Sequence, residues 1–463
     1  MNNDTICAIS TAPGRGAIAI VRISGPEAFT ISDKLFKAAG KGKLLATQES
    51  HTVLFGNIQK GGYLIDEVVA TVFRGPHSFT GEDIVEISCH GSTYIQQKII
   101  HLLIDEGCRM AEPGEFSRRA FSNGKMDLAQ AEAIADLIAS TSSANHRLAL
   151  QQMRGGISRE LDKIRKDLLH FVTMIELELD FSEEQVEFAD RKDLNDLSDK
   201  LEKSLRKLTE SFKLGNALKN GIPVAIVGET NAGKSTLLNK LLNEDKAIVS
   251  RIPGTTRDVI EDITNIQGIT FRFIDTAGLR QTEDEIELLG IERTYQKIEQ
   301  ASIILWVIDS TCVSEHIEWM ANKIVPNAKD KTLLILFNKS DKISREEQHI
   351  LDNLFKPYSN HRIHISAKKG DNLDLLRAIL LEKAGLPDLE RQDVVITNLR
   401  HYEALKSAHE AILRVKEGLR DNQSGEFISQ DLRECMYHLG QITGAITTDE
   451  VLGNIFRNFC IGK

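Results

Sequence analysis

The chain has 463 residues, enough for two or three domains that each bury a core. With 41% hydrophobic and 27% charged residues it reads as an ordinary globular protein. A net charge of −10 argues against a surface that is basic all over, while leaving room for a local Lys/Arg patch. No apolar run nears the ~20 residues that cross a bilayer, and the Met-Asn-Asn-Asp start lacks a signal peptide's basic and apolar stretches. Cys7, Cys89, Cys108, Cys312, Cys435 and Cys460 are scattered without a Cys-x-x-Cys pair, so neither a disulfide framework nor structural zinc is expected. A cytoplasmic home is the expectation.

Residues 1–121 are expected to form a mixed α/β domain. Its short apolar stretches, Ala17–Ile23, Glu67–Phe73 and Asp83–Ile87, are separated by Gly/Pro turns. From Met126 the pattern turns helical. Leu161, Ile164, Leu168, Phe171, Ile175 and Leu179 recur at three- and four-residue steps. Leu194, Leu197, Leu201, Leu205, Leu208 and Phe212 repeat that stripe in a second helix. The signature returns only near the end, in Leu405, Ala408, Ile412, Val415 and Leu419, then in Ile428, Leu432, Cys435 and Leu439. One pair of helices buries little core alone. The stripes are therefore expected to make one all-α domain, residues 122–218 and 386–463, with residues 219–385 inserted into it.

Inside the insert, apolar runs alternate with helical patterns: Val224–Val227, Phe271–Ile274, Ile303–Ile308, Thr332–Phe337 and Arg362–Ile365. Such alternation predicts a parallel sheet covered by helices, with ligands at the carboxyl ends of the strands. The first of these strands runs into Gly228-Glu-Thr-Asn-Ala-Gly-Lys-Ser235, which fits G-x-x-x-x-G-K-S and opens a helix. Its glycines let backbone N–H groups wrap phosphates at a helix N-terminus. Lys234 brings a charge to the β/γ-phosphates, and Ser235 offers its hydroxyl to Mg²⁺. Asn338-Lys339-Ser340-Asp341 ends the next-to-last strand. The Asp341 carboxylate can accept from guanine N1–H and the exocyclic amine, which adenine does not match. Ser366-Ala367-Lys368 would complete the base pocket. The motifs together predict a GTP-binding domain contacting nucleotide through Asn231, Ala232, Gly233, Lys234, Ser235 and Thr236, and through Asn338, Lys339, Asp341, Ser366, Ala367 and Lys368.

Two loops add the γ-phosphate end. Ser250, Arg251, Ile252, Pro253, Gly254, Thr255 and Thr256 precede the second strand, where Thr256 can reach Mg²⁺ and sense the γ-phosphate. Asp275, Thr276, Ala277 and Gly278 follow the next strand. The residue after that Gly, often a water-positioning glutamine in Ras-type enzymes, is Leu279. An apolar side chain does not orient a water, which leaves Glu283, Glu285 and Glu287 as local candidates.

With these residues laid out, the chain resembles the MnmE (TrmE) family of tRNA-modification GTPases nearly end to end. The likeness is carried by Pro13-Gly-Arg-Gly16, Val21-Arg-Ile-Ser-Gly25, Ser78-Phe-Thr-Gly-Glu-Asp83, Pro113-Gly-Glu-Phe-Ser117, Asp127-Leu-Ala-Gln-Ala-Glu-Ala133 and the terminal Phe459-Cys-Ile-Gly-Lys463. The resemblance implies a multidomain α/β plus all-α fold: a dimerising, folate-binding N-terminal α/β domain, a discontinuous helical domain and an inserted Ras-like P-loop GTPase domain. It implies a potassium ion in place of an arginine finger, held by Asn231, Ser250, Ile252 and Thr255. It puts the water-orienting role on Glu287, beside Lys234 and Thr256 in catalysis, with magnesium on Ser235 and Thr256. The family's folate residues fall on Arg22, Glu86, Lys125 and Lys463, for 5-formyl-tetrahydrofolate or a related folate, with Cys460 alongside. Without the resemblance each of these reads as an ordinary surface group. Two departures stand out: Glu229-Thr230 where the family usually has proline before Asn231, and Ser250 where threonine is common.

The implied activity is a potassium-stimulated GTP hydrolase working as a homodimer with an FAD-containing partner, MnmG (GidA). Together they would add an aminomethyl-type group, commonly carboxymethylaminomethyl, to carbon 5 of the wobble uridine of certain tRNAs. The one-carbon unit would come from a formyl- or methylene-tetrahydrofolate. The alternative is a ribosome-assembly GTPase acting as an RNA-binding switch, which would need an RNA-binding appendage that the helical C-terminal stretch does not offer. A mechanical, filament-forming GTPase is a further alternative, and neither rival accounts for the N-terminal motifs.

Overall fold

The computed structural model describes residues 4–40, 42–180, 191–243, 262–274, 298–312, 317–384, 394–457, 459 and 462. It divides into two compact units, Met1–Ile138, Leu150–Glu202 and Ser407–Lys463 in the first, Ala139–Ala149 and Lys203–Lys406 in the second. Among the described residues no helix is long and apolar enough to cross a membrane.

The first unit is built on strands β1 (Ile6–Ile9), β2 (Ile18–Ser24), β3 (Phe36–Ala38), β4 (Thr52–Lys60), β5 (Tyr63–Phe73), β6 (Ile84–His90) and β7 (Arg109–Met110). They join in the order β3-β4-β5-β6-β2-β1-β7, with only β1 and β7 parallel. Strand side chains alternate between faces. Ala19, Val21 and Ile23, Val68, Ala70 and Val72, and Val85 and Ile87 turn inward under helices α1 (Ala28–Leu35) and α2 (Thr93–Asp105). The opposite face carries Ile20 and Arg22 of β2, Glu86 and Ser88 of β6, Val69 and Thr71 of β5, and Val53 and Phe55 of β4. The apolar stretches read from sequence thus cover only three of the seven strands. The others are short or interrupted by polar residues.

Helix α3 (Glu115–Ser122) and α4 (Leu128–Ala139) lead to α5 (Ser143–Met153) and α6 (Gly156–Asp180). The predicted α6 stripe is buried from Leu161 to Ile175, and its partner is the helix Gly425–Thr443, whose Ile428, Leu432, Cys435 and Leu439 are buried too. Gly425 sits against Ile175 and Leu179, so the two axes approach closely there. Each fully buried Leu or Ile contributes about 1.5–3 kcal/mol. The terminal helix Asp449–Arg457 lays Leu452, Ile455 and Phe456 against Phe121, Leu128 and Ala131. Beyond it, the Gly462 carbonyl lies against Ser10, which follows β1, and Arg22 of β2.

Helix α7 (Arg191–Asn220), whose residues from Lys203 on belong to the second unit, is followed at once by β8 (Ile222–Val227). The remaining strands are β9 (Asp262–Ile266), β10 (Ile269–Phe273), β11 (Ile303–Asp309), β12 (Thr332–Asn338) and β13 (His361–His364), in the order β13-β12-β11-β8-β10-β9. The strands from β13 to β10 are parallel, as expected, and the edge strand β9, which was not among the apolar runs read from sequence, is antiparallel to β10. The β9–β10 turn is Gln267-Gly268, both with left-handed φ, the backbone a two-residue hairpin needs. Strand β11 is buried along all but its last residue, because helices cover both faces of the sheet.

Candidate nucleotide-binding site

The site is built where β8, β11 and β12 end together. Gly228 follows β8 at φ 147°, and a Cβ there would stand 2.1 Å from the Val307 carbonyl oxygen of β11, so only glycine fits. The loop turns through Asn231, exposed and left-handed at φ 63°, and through Gly233 at φ 94° into α8 (Lys234–Asn243). Its shape presents the first N–H groups of α8, with their positive dipole end, to an anion. The Lys234 ammonium folds back on the loop, donating to the carbonyls of Gly228 at 2.8 Å and Glu229 at 2.5 Å. Ser235 and Thr236 occupy the first turn of α8.

The second half comes from the end of β12. Asn338, 3% exposed, donates through Nδ2 to the Ala232 carbonyl at 2.8 Å and accepts through Oδ1 from the Ala367 N–H at 2.9 Å. One buried amide therefore ties the phosphate loop to Ser366-Ala367. A Cβ on Gly233 would fall 2.1 Å from that Nδ2, so the glycine is also what lets the amide in. Asp341 lies beyond, its carboxyl held below the usual carboxylate range by the Ser366 hydroxyl and then by the Lys369 ammonium, 3.3 Å away. An ionised acceptor pair is what a base edge with two N–H donors requires. Lys368 is exposed. Lys339, also left-handed at φ 63°, pairs through Nζ with Asp309 at the end of β11.

A second constellation lies on the outer face of the first unit's sheet. Arg22 and Glu86 are directly opposed on β2 and β6 and pair at 2.8 Å. The Arg22 guanidinium rests against the rings of Phe79 and Phe116, at 5.3 and 5.6 Å, and reaches the Gly462 carbonyl at 3.5 Å. Ser10 donates to that same carbonyl at 3.1 Å. Gly462 is buried at φ 94°, and a Cβ would meet the Ile9 carbonyl oxygen at 2.3 Å.

Two family models match the chain, one after the other. The model described as MnmE helical domain matches residues 128–460, and that of the GTP-binding protein TrmE N-terminus matches residues 5–125. The chain belongs to the MnmE family. A tRNA modification GTPase MnmE of Bacteroides thetaiotaomicron is 57% identical over 466 residues, and one of Bacteroides fragilis is 58% identical over 466, each covering all of both chains. A solved structure of Era with MgGDPNP and 16S ribosomal RNA nucleotides is 33% identical over 41% of this chain and 65% of its own, at a TM-score of 0.28.

Of the residues singled out for the MnmE family's chemistry, Asn231 to Thr236 lie together, and Asn338, Lys339, Asp341, Ser366 and Ala367 gather opposite. Arg22 and Glu86 are joined directly. Lys125 instead donates to the Pro76 carbonyl at 2.7 Å, on the loop that also carries Phe79. Ser250 to Thr256, Asp275 to Gly278, Glu287, Cys460 and Lys463 lie outside the described residues. Phe79, Phe116, Gly462, Asp309, Thr311 and Lys369 were not singled out from sequence. For Asp309, Thr311 and Lys369 the signal is a contact made by the fold, whereas Phe79, Phe116 and Gly462 stand in family motifs that were visible in sequence.

Proposed function

We propose that this MnmE-family chain is a potassium-stimulated GTP hydrolase which, as a homodimer with an FAD-containing partner of the MnmG type, adds an aminomethyl-type group to carbon 5 of the wobble uridine of certain tRNAs. The observation that carries the reading is a phosphate loop stapled by Asn338 to a guanine-reading loop, in one chain with a cationic, aromatic-lined cradle at Arg22.

In the nucleotide site, Lys234 and the N–H groups opening α8 bind and orient the phosphates, while Asp341 selects guanine. Ser235 and Thr256 would hold magnesium and Asn231, Ser250, Ile252 and Thr255 potassium, cations that neutralise charge developing on the phosphoryl oxygens. Glu287 would orient the attacking water. In the other site, Glu86 suits the amino edge of a folate's pterin and Arg22, paired to it, the carbonyl oxygen beside that edge, with Phe79 as a ring-sized wall, while Lys125 suits the cofactor's carboxylates. A bound 5-formyl-tetrahydrofolate would supply the one-carbon unit. The same sheet face continues into Val53 and Phe55, 59% and 55% exposed, an apolar patch suited to a second copy.

GTP turnover is expected to rise when potassium replaces sodium, and Glu287→Ala to abolish most of it with GTP affinity kept; equal rates in both salts sink the potassium assignment. The folate reading is tested by binding of 5-formyl-tetrahydrofolate to the intact protein and its loss in Arg22→Ala. Absence of binding by the unaltered protein removes folate from the function.

A further inference from the structure

We infer that Asp309 is a positioning residue for the nucleotide site, fixing the Lys339 side chain as a wall against which the base is clamped. The inference rests on reading Asn338-Lys339-x-Asp341 as the base-reading loop. Asp309 closes β11 and stands opposite Asn338 in the ladder, while the Ser310 N–H donates to the Asn338 carbonyl, so the ends of β11 and β12 are locked in register. Its carboxylate is used on both sides. Oδ1 accepts from the Thr311 N–H at 3.0 Å and the Thr311 hydroxyl at 2.7 Å, and Oδ2 accepts from Lys339 Nζ at 2.5 Å.

The direction of this pair matters. The left-handed Lys339 backbone turns the side chain back from the loop after β12, over the end of β11, towards β8 and the phosphate loop. A nucleotide with its base on Asp341 and its phosphates at α8 must cross that same strand end. The Lys339 methylenes therefore lie on its path, and lysine stems cover apolar ring faces well. A free lysine loses much rotamer entropy when it is pinned. Here the pinning is done beforehand by a partly buried ion pair, with side chains 18% and 29% exposed. Partial burial pushes the Asp309 carboxyl up, but Lys339 and Thr311 outweigh it and hold the group below the usual carboxylate range.

Release of N-methylanthraniloyl-GDP from the full-length protein, chased with GDP in stopped flow, tests this. Asp309→Ala is expected to speed release about tenfold and raise KM for GTP similarly, with kcat changed less than twofold. Asp309→Asn, which keeps one acceptor oxygen but turns an amide N–H2 towards either Lys339 or Thr311, should release faster than the unaltered protein and slower than Asp309→Ala. Unchanged or slower release in Asp309→Ala overturns the inference. If Asp309→Ala does not fold, a double-mutant cycle of Asp309→Asn with Lys339→Met decides, since additive effects on release exclude positioning through Lys339. Asp341→Asn separates the underlying reading: it should shift preference from GTP to XTP. If it does not, the base-loop assignment itself fails, whatever Asp309 does.

Discussion

Asn338→Ala is the perturbation that most sharply separates a structural staple from a ligand contact. The side chain is buried and spends its carbonyl on the Ala367 N–H and its amide on the Ala232 carbonyl. Truncation strands both backbone groups where water does not easily follow. Each stranded group costs about 1–3 kcal/mol, so a loss of roughly 2–4 kcal/mol is expected once the Ala232 carbonyl's second lone pair is allowed for. For a unit of this size each kcal/mol moves the melting point by about 2–4 °C, giving a fall of roughly 5–15 °C. The protein has two tryptophans, and both belong to the second unit: Trp306, 1% exposed on β11, and Trp319, 46% exposed on the helix Ile317–Asn327. Intrinsic tryptophan fluorescence therefore follows that unit's unfolding alone, and the measurement is made without nucleotide. If Asn338→Ala melts with the unaltered protein when no nucleotide is present, the staple argument is wrong and Asn338 acts only on the ligand. Asp341→Ala is the contrast, because its carboxylate meets the Ser366 hydroxyl and the exposed Lys369 ammonium rather than two buried backbone groups, and it should move the nucleotide-free transition much less.

Gly462→Ala puts a Cβ 2.3 Å from the Ile9 carbonyl at a φ of 94°. Left-handed backbone alone costs a non-glycine residue about 1–2 kcal/mol, so residue 462 should leave its place beside Ser10 and Arg22 and affinity for 5-formyl-tetrahydrofolate should fall about tenfold or more. Affinity within twofold of the unaltered protein, measured by calorimetry, would dissociate the tail from that site. In the first unit Arg109 and Arg119 share Asp4 and Glu115. Burial pushes both carboxyls up, but the two arginines more than offset it, leaving each below its usual value. Groups depressed in the folded state lend stability that is complete above their unfolded values and is lost as pH falls through the folded ones. Protection from hydrogen exchange at β1 and α3, relative to the intrinsic rate at each pH, should therefore fall below roughly pH 4. Arg109→Gln should weaken that dependence, and an unchanged pH profile in the variant would show that the pairing does not set it.

What was legible in the sequence follows from how far apart the cooperating residues lie. Strands β11 and β12 are continuous apolar runs because both their faces are covered, and the stripes of α6 and the helix Gly425–Thr443 show their period directly. Strand β9 escaped because Asp-Ile-Thr-Asn-Ile is a half-polar edge strand, visible only through the Gln267-Gly268 turn that pairs it with β10. The phosphate loop was readable because glycine spacing encodes backbone shape locally. Asn338 was readable as part of a motif, but its act of joining Ala232 to Ala367 was not, since those partners lie 106 and 29 residues away. The Arg22 cradle is the extreme case. Its guanidinium is set by a strand neighbour at Glu86, by rings at Phe79 and Phe116, and by a carbonyl at Gly462, 440 residues along the chain. No local period or spacing records such an assembly. Taken singly, Arg22 is a charge in the middle of an otherwise apolar strand, and only the outward face of β2, on which it stands opposite Glu86, explains why that charge is tolerated there.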